Sequence, residues 1–351
     1  MGRPGGPDMQ TLLNTLYVTT PQSYLHLDND TVRVDVERET KLRVPLHHLG
    51  GIVIFGNVLV SPALMHRLAD NGQSLVLLDA HGRFKARLEG AVSGNILLRR
   101  AQHEKANDTA FALNVARACV AGKIRNCRQV LLRGAREAKR DEDVTSLSRG
   151  ADDLAASLRA LPGAANLDVL RGVEGEAARQ YFSCLNVLVR TDARGDFTLD
   201  GRSRRPPRDR MNALLSFLYA MLMNDCRSAL ESVGLDPQLG FLHAVRPGRA
   251  ALALDLMEEF RHVADRLALT LVNRGQVRAA DFTLHEGGGV TLAEQGRKAV
   301  VVAWQERKQE TLSHPLLEQP VAVGLLPQLQ ARFLARTLRG DMESYLPFLL
   351  R

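Results

Sequence analysis

The 351-residue chain has no apolar run long enough to cross a membrane and no lipidation signal, which argues against a membrane partner. Its four cysteines, Cys119, Cys127, Cys184 and Cys226, show no CxxC spacing and fall in segments that read as helical. Isolated cysteines of this kind behave as small buried hydrophobes in a reducing, cytoplasmic compartment, so neither zinc nor disulfides need be invoked. Aromatic residues make up only 5% with a single tryptophan, and Trp304 and Tyr219 are expected in the core rather than stacked on bases. No internal repeat is visible. Residues 1–8, rich in glycine and proline, lack the apolar stretch of a signal peptide and read as a leader or expression scar.

What is present is positive charge. The formal net charge is +7 and the sequence pI about 9.5, with 45% hydrophobic and 24% charged residues. The apolar content and length suffice for two cores. The basic balance, without a membrane signal, favours nucleic acid as partner.

The texture changes once along the chain. Residues 24–27 and 31–36 alternate apolar with polar around Asp28, Asn29 and Asp30, a hairpin signature. Residues 51–56 and 74–78 are short apolar β runs, and 61–71 between them carry helical spacing through Leu64 and Leu68. Beyond Ser93 apolar residues recur every three or four positions, as in 111–132, 174–189 and 212–230. The expected class is therefore α+β: a small β domain over 9–92, a linker over 93–105 and a larger helical domain over 106–351. Residues 201–210 are too rich in Arg and Pro for helix interior, and Gly287, Gly288 and Gly289 mark a turn.

Three places present hard ligands. Over 251–269, Leu256, Met257, Phe260, Val263, Ala264 and Leu267 form one helical stripe, with Asp255, Glu258, Glu259 and His262 opposite. A solvated acidic face explains that pattern; against it, carboxylates one turn apart in a basic protein repel unless a cation lies between them. Glu174 stands between Gly172 and Gly175. Each glycine inside a helix costs about 1 kcal/mol relative to alanine, which suggests either close approach of a ligand or a helix N-terminus. His243 follows an apolar approach punctuated by Pro237 and Gly240, a context that suits a core histidine as well as a ligand. Arg202, Arg204, Arg205, Arg208 and Arg210 form the densest basic run, with a second at Arg133, Arg136, Lys139 and Arg140. Such runs are either solvated faces or phosphate contacts that position DNA without reading it.

Glu174 within 171–182, His243 within 234–243 and Glu258 within 252–261 resemble, in that order, three ligand motifs of the CRISPR-associated spacer-acquisition integrase family. Residues 123–126, 212–219 and 296–300 resemble further blocks of it, and the N-terminal texture and residues 329–336 are similar to its subtype I-C branch. The resemblance implies a β domain that pairs two subunits into a homodimer, and a helical domain holding Mn²⁺ or Mg²⁺ on Glu174, His243 and Glu258, with Asp255 as supporting carboxylate. It departs at one point: many relatives place Asp at the third ligand position. It further implies double-stranded DNA, both fragment and repeat, and a small ferredoxin-like CRISPR partner protein. The activity implied is joining of a fragment 3′-hydroxyl to a repeat phosphodiester. A structure-selective endonuclease and an inactive DNA-binding scaffold are the alternatives.

Overall fold

The computed structural model describes residues 9–12, 15–18, 20–79, 84–88, 90 and 96–350, so the leader reading of 1–8 lies outside the described residues. The chain divides into one compact unit of residues 1–93 with 292–309 and a second of 94–291 with 310–351.

The first unit carries two sheets. Strands β1 (Met9–Leu12), β2 (Thr15–Val18), β3 (Tyr24–Asp28), β4 (Thr31–Val36), β5 (Glu39–Pro45), β6 (Gly51–Phe55) and β7 (Leu59–Val60) precede helix α1 (Pro62–Asp70) and strands β8 (Ser74–Leu78) and β9 (Phe84–Leu88). The five-stranded sheet has order β1-β2-β6-β8-β9, with β6 parallel to β2 and β8. A central parallel strand is buried on both faces, which is why β6 is a continuous apolar run. The second sheet has order β5-β4-β3-β7. Its β3–β4 hairpin turns at Asn29, whose φ of 55° is the left-handed conformation that a short polar side chain tolerates. Leu64 and Leu68 of α1, capped by the Ser61 hydroxyl, enter the core formed by Leu16, Leu25, Val32, Ile52 and Leu75.

The second unit is mainly helical: α2 (Ile96–Asn107), α3 (Thr109–Glu137), α4 (Asp141–Ala160), α5 (Leu167–Leu188), α6 (Thr191–Arg194), α7 (Arg210–Ser232), α8 (Ala251–Glu258) and α9 (Arg261–Asn273). Then come strands β10 (Phe282–Leu284) and β11 (Val290–Leu292), helix α10 (Glu294–Gln309), strands β12 (Thr311–His314) and β13 (Gln319–Ala322), and α11 (Leu326–Arg339). α3 packs against α4, α5, α8 and α9. Its buried stripe includes Val115, Cys119, Val120, Ile124, Cys127 and Leu131, and all four cysteines are free and buried. Among the described residues no helix is long and apolar enough to cross a membrane.

The sequence-based division differs from this in four respects. Residues 96–105 of the expected linker are helical, because Leu98 and Gln102 bury one face of α2. The helical region is interrupted by two hairpins, β10–β11 and β12–β13, whose strands of three or four residues are too short to show a period. Helix α10, with buried Trp304, groups with the first unit although it follows most of the helical domain in sequence. Finally, the single helix read over 251–269 breaks at Glu259 and Phe260 into α8 and α9.

Candidate active site

The amphipathic reading of 251–269 fails in an informative way. Asp255, Glu258, Glu259 and His262 are all buried, at 0%, 2%, 0% and 1% exposure. Both faces of α8 are interior, so each acid must find partners inside the protein.

Asp255 finds them in the loop before α8. Its Oδ2 accepts from the backbone N–H of Phe241 and Leu242 (2.6 and 2.9 Å), and its Oδ1 accepts from the His243 N–H at 2.9 Å. In return, the Pro237 carbonyl accepts from Leu252 N and Ala253 N, satisfying the first turn of α8 (2.9 and 3.3 Å). The loop is fixed from two further sides. Gln102 of α2 donates to the carbonyls of Asp236 and Leu239 (2.8 and 3.0 Å), and Arg171 of α5 donates to the carbonyl of Leu242 at 2.8 Å. Gly240 has to be glycine here, since a Cβ would lie 2.7 Å from Asp255 Oδ2 and 2.8 Å from the Ala251 carbonyl carbon.

The same carboxylate orients His243. Nδ1 lies 2.7 Å from Asp255 Oδ1. An ionised carboxylate only accepts, so Nδ1 is the ring nitrogen that donates to it and Nε2 is left for another partner. Nε2 faces Glu258 Oε1 at 3.9 Å.

Glu258 is clamped on both oxygens by Arg261 (2.7 and 2.7 Å), and its Oε2 also accepts from Lys123 Nζ at 2.7 Å. Burial alone would raise its pKa, but the charges of Arg261 and Lys123 outweigh that and hold it well below the usual carboxylate range. The Arg261 guanidinium lies over the Tyr219 ring at 4.8 Å. Lys123 Nζ donates at the same time to Glu174 Oε1. Lys123 therefore ties α3 to the two carboxylates of α5 and α8. The Glu174 and His243 side chains keep 25% and 21% exposure.

Glu174 lies within α5, two turns after the Asn166 cap that accepts from Asp168 N and Val169 N. The helix-start explanation of its flanking glycines is thereby excluded. A Cβ at Gly172 or Gly175 would meet no protein atom within 4 Å.

Glu258 is thus linked to Glu174 through the Lys123 ammonium they share and faces His243 Nε2 at 3.9 Å, and Asp255 stands behind the imidazole. As the side chains stand, no three acidic, imidazole or thiol groups among the described residues form a closed ligand set. The donor set nonetheless suits a hard divalent ion: two carboxylates, an oriented imidazole and no thiolate. With its carboxylate directed at the loop and the ring, Asp255 orients the His243 imidazole.

Sequence reasoning missed Lys123 and Arg261 as site residues. Lys123 interrupts the apolar stripe of α3 between Val120 and Cys127, and a lysine on a buried stripe is the signal that points to an internal acid. Arg261 follows Glu258 by three residues. Glu259, next in the chain, faces the opposite way. It accepts from Phe348 N (2.7 Å), Gln330 Nε2 (2.9 Å) and the Tyr345 hydroxyl. Asn126 of α3 completes that anchorage, donating to the Phe348 carbonyl and accepting from Leu350 N (2.9 and 2.7 Å). The C-terminal tail is thereby fastened beneath α8.

The basic loop divides. Arg204, Arg205 and Arg208 are exposed. Arg202 turns inward, donating to Asn212 Oδ1 and the Ser203 carbonyl (2.5 and 2.7 Å) and lying 5.3 Å from the Tyr219 ring, so it braces the loop from within. Arg210 is half-buried and donates to the Asp196 carbonyl at 3.1 Å. In the second basic run Arg133 pairs with Glu137 and Arg140 with Asp143. Tyr219 and Trp304 are buried, as expected of core residues.

The family model described as CRISPR associated protein Cas1 matches residues 16–306. The chain belongs to the Cas1 family. It is 55% identical over 344 residues to "CRISPR-associated endonuclease Cas1 1" of Moorella thermoacetica, covering 98% of this chain and all of that relative. It is 50% identical over 345 residues to "CRISPR-associated endonuclease Cas1 2" of Rhodospirillum rubrum, covering 97% and 99%. Among solved structures, a CAS1 protein from Thermotoga maritima shares the fold with a TM-score of 0.80 at 24% identity, over 93% of this chain and 97% of that one. A chain of a partial Cas6-RT-Cas1–Cas2 complex superposes with a TM-score of 0.65 at 25% identity, over 94% and 97%. These Cas1 proteins share the mixed architecture of a strand-rich N-terminal part and a helical remainder.

Proposed function

We propose that this Cas1 protein is a divalent-metal-dependent DNA integrase of CRISPR adaptation. The observation that carries the reading is that Glu258 is linked to Glu174, through the Lys123 ammonium they share, and faces His243 Nε2 at 3.9 Å. The acids are drawn from two helices and the imidazole from a loop braced by Asp255, Gln102 and Arg171. Mn²⁺ or Mg²⁺ held by Glu174, His243 and Glu258 would lower the pKa of an attacking hydroxyl and offset charge on the phosphate. The chain's own part is positional. Asp255 keeps the imidazole in one tautomer, Arg261 fixes Glu258, and the exposed Arg204, Arg205 and Arg208 supply sequence-independent phosphate contacts.

The reaction is a transesterification. The oxygen of a fragment 3′-hydroxyl forms a bond to a repeat phosphorus, the bond from that phosphorus to the leaving 3′-oxygen breaks, and that oxygen takes up a proton. The number of phosphodiester bonds is conserved and no covalent enzyme intermediate arises. The endonuclease names of relatives support the nuclease chemistry, and the Cas1–Cas2 complex to which a structural neighbour belongs supports a second CRISPR protein as partner. Pairing of two copies through the N-terminal β unit and membership of the I-C branch belong to the same reading, on the family resemblance.

Strand transfer of a labelled fragment into a supercoiled repeat plasmid tests it. Joining by the wild type, abolished in Glu174→Ala, is expected. Cleavage without joining would mark a structure-selective endonuclease, and DNA binding without either reaction an inactive scaffold. EDTA should abolish joining while the circular dichroism spectrum stays unchanged, because both units bury ample apolar cores of their own. Joining that persists in EDTA refutes metal dependence.

A further inference from the structure

Lys123 is the feature of this site that the ligand reading does not use. It is 7% exposed on a stripe of Cys119, Val120, Ile124 and Cys127. Its ammonium donates to Glu174 Oε1 and, at 2.7 Å, to Glu258 Oε2. Glu258 is already neutralised by the two-pronged Arg261 clamp. The added effect of Lys123 is therefore to compensate Glu174 and to hold the two acids facing each other across one cation.

We propose that the Lys123 ammonium is a built-in placeholder for the divalent cation, keeping Glu174 and Glu258 in place until the metal displaces it. The inference rests on the ligand reading above. Two cations cannot share the space between the same two carboxylate oxygens without strong repulsion, so metal entry requires Nζ to leave at least one of them. Lysine suits the task better than arginine would. Its charge is compact, its four-carbon stem swings freely, and its three donors are free to move to a phosphate oxygen. The consequence is a site that folds without metal and gives up affinity for the ion in exchange, since each binding event breaks an ion pair.

Titration calorimetry with Mn²⁺ alone, without DNA, tests this on the full-length wild type, Lys123→Met and Lys123→Arg. Lys123→Met is expected to bind Mn²⁺ on the order of tenfold or more tighter than wild type, because the competing charge is gone. Lys123→Arg keeps the competing charge and should bind Mn²⁺ no more tightly than wild type. In EDTA the thermal midpoint of Lys123→Met should fall below that of wild type, and saturating Mn²⁺ should raise it by more than it raises the wild type. Binding to wild type with equal or weaker binding to Lys123→Met overturns the placeholder while leaving the ligand reading intact. No Mn²⁺ binding by wild type or either variant overturns both. A crystal of wild type grown with Mn²⁺ removes any dependence on how the variants fold. Anomalous density among Glu174, His243 and Glu258 with Nζ withdrawn from one or both carboxylates is expected, and Nζ still bridging both beside the ion refutes the proposal.

Discussion

Three backbone N–H groups and the His243 ring converge on the Asp255 carboxylate. Asp255→Asn keeps the shape but turns an NH₂ group toward donors and ends the control of the His243 tautomer. We expect a loss of about 1–3 kcal/mol in denaturant unfolding and a fall of roughly 10–100-fold in Mn²⁺ affinity or joining rate, the range usual for groups that orient a metal-binding histidine. Glycines near the site divide into two kinds. Gly172→Ala and Gly175→Ala place a methyl in open space inside α5, and each should raise unfolding stability by about 0.5–1 kcal/mol. Gly240→Ala drives a methyl into Asp255 and the first turn of α8 and should cost about 1–3 kcal/mol. Denaturant melts of the three variants distinguish a glycine that the folded chain needs from two that it does not.

At the level of elements, α7 and α9 are joined by the Tyr219 hydroxyl donating to Asp265 Oδ1 at 2.5 Å. Burial pushes the Asp265 carboxyl up to about 6, against the opposing pull of Tyr219 and the Arg261 charge. A folded-state pKa above the ordinary 3.8 means that the native state holds this proton more tightly than the unfolded chain does. Its stabilising contribution is full below about pH 3.8 and is lost as pH rises through about 6. Measured against Asp265→Asn, the wild type should lose on the order of 3 kcal/mol of unfolding free energy between pH 4 and pH 7. A difference that stays flat over that window would show that Asp265 is not the titrating group. At the break between α8 and α9, Glu258 pairs with Arg261 and Lys123 while Glu259 receives the tail.

For the molecule as a whole, the net charge of +7 belongs to the surface as well as to the site. If Arg204, Arg205 and Arg208 each neutralise one DNA phosphate, replacing all three with Ala should reduce the slope of log affinity against log salt by about 3 × 0.9 while leaving sequence preference alone. Fluorescence anisotropy over a salt series measures that slope. A slope equal to wild type would remove the loop from the DNA-binding surface. Replacing Arg202 would instead act through stability, because its partners are internal.

Much of the fold could be read from periodicity. The β3–β4 hairpin, α1 and the long helices α3 and α5 stand where alternation or three-and-four spacing put them, because one face of each is more buried than the other, and α7 stands at its spacing although no described position from 211 to 230 is exposed. The parts that could not be read were those whose burial depends on distant segments. α8 is interior on both sides, so its acids looked like a solvated face. Gln102 looked like linker because its partners, the carbonyls of Asp236 and Leu239, lie far along the chain. The sequence by itself determined most element types, the basic charge and, through motif resemblance, the acids and the imidazole proposed as ligands. Only the tertiary structure decided that Asp255 stands behind His243, that Arg202 faces inward and that Lys123 joins Glu174 to Glu258. Those are pairings between groups far apart in sequence, fixed by which charges the folded chain can bury together, and no local pattern encodes them.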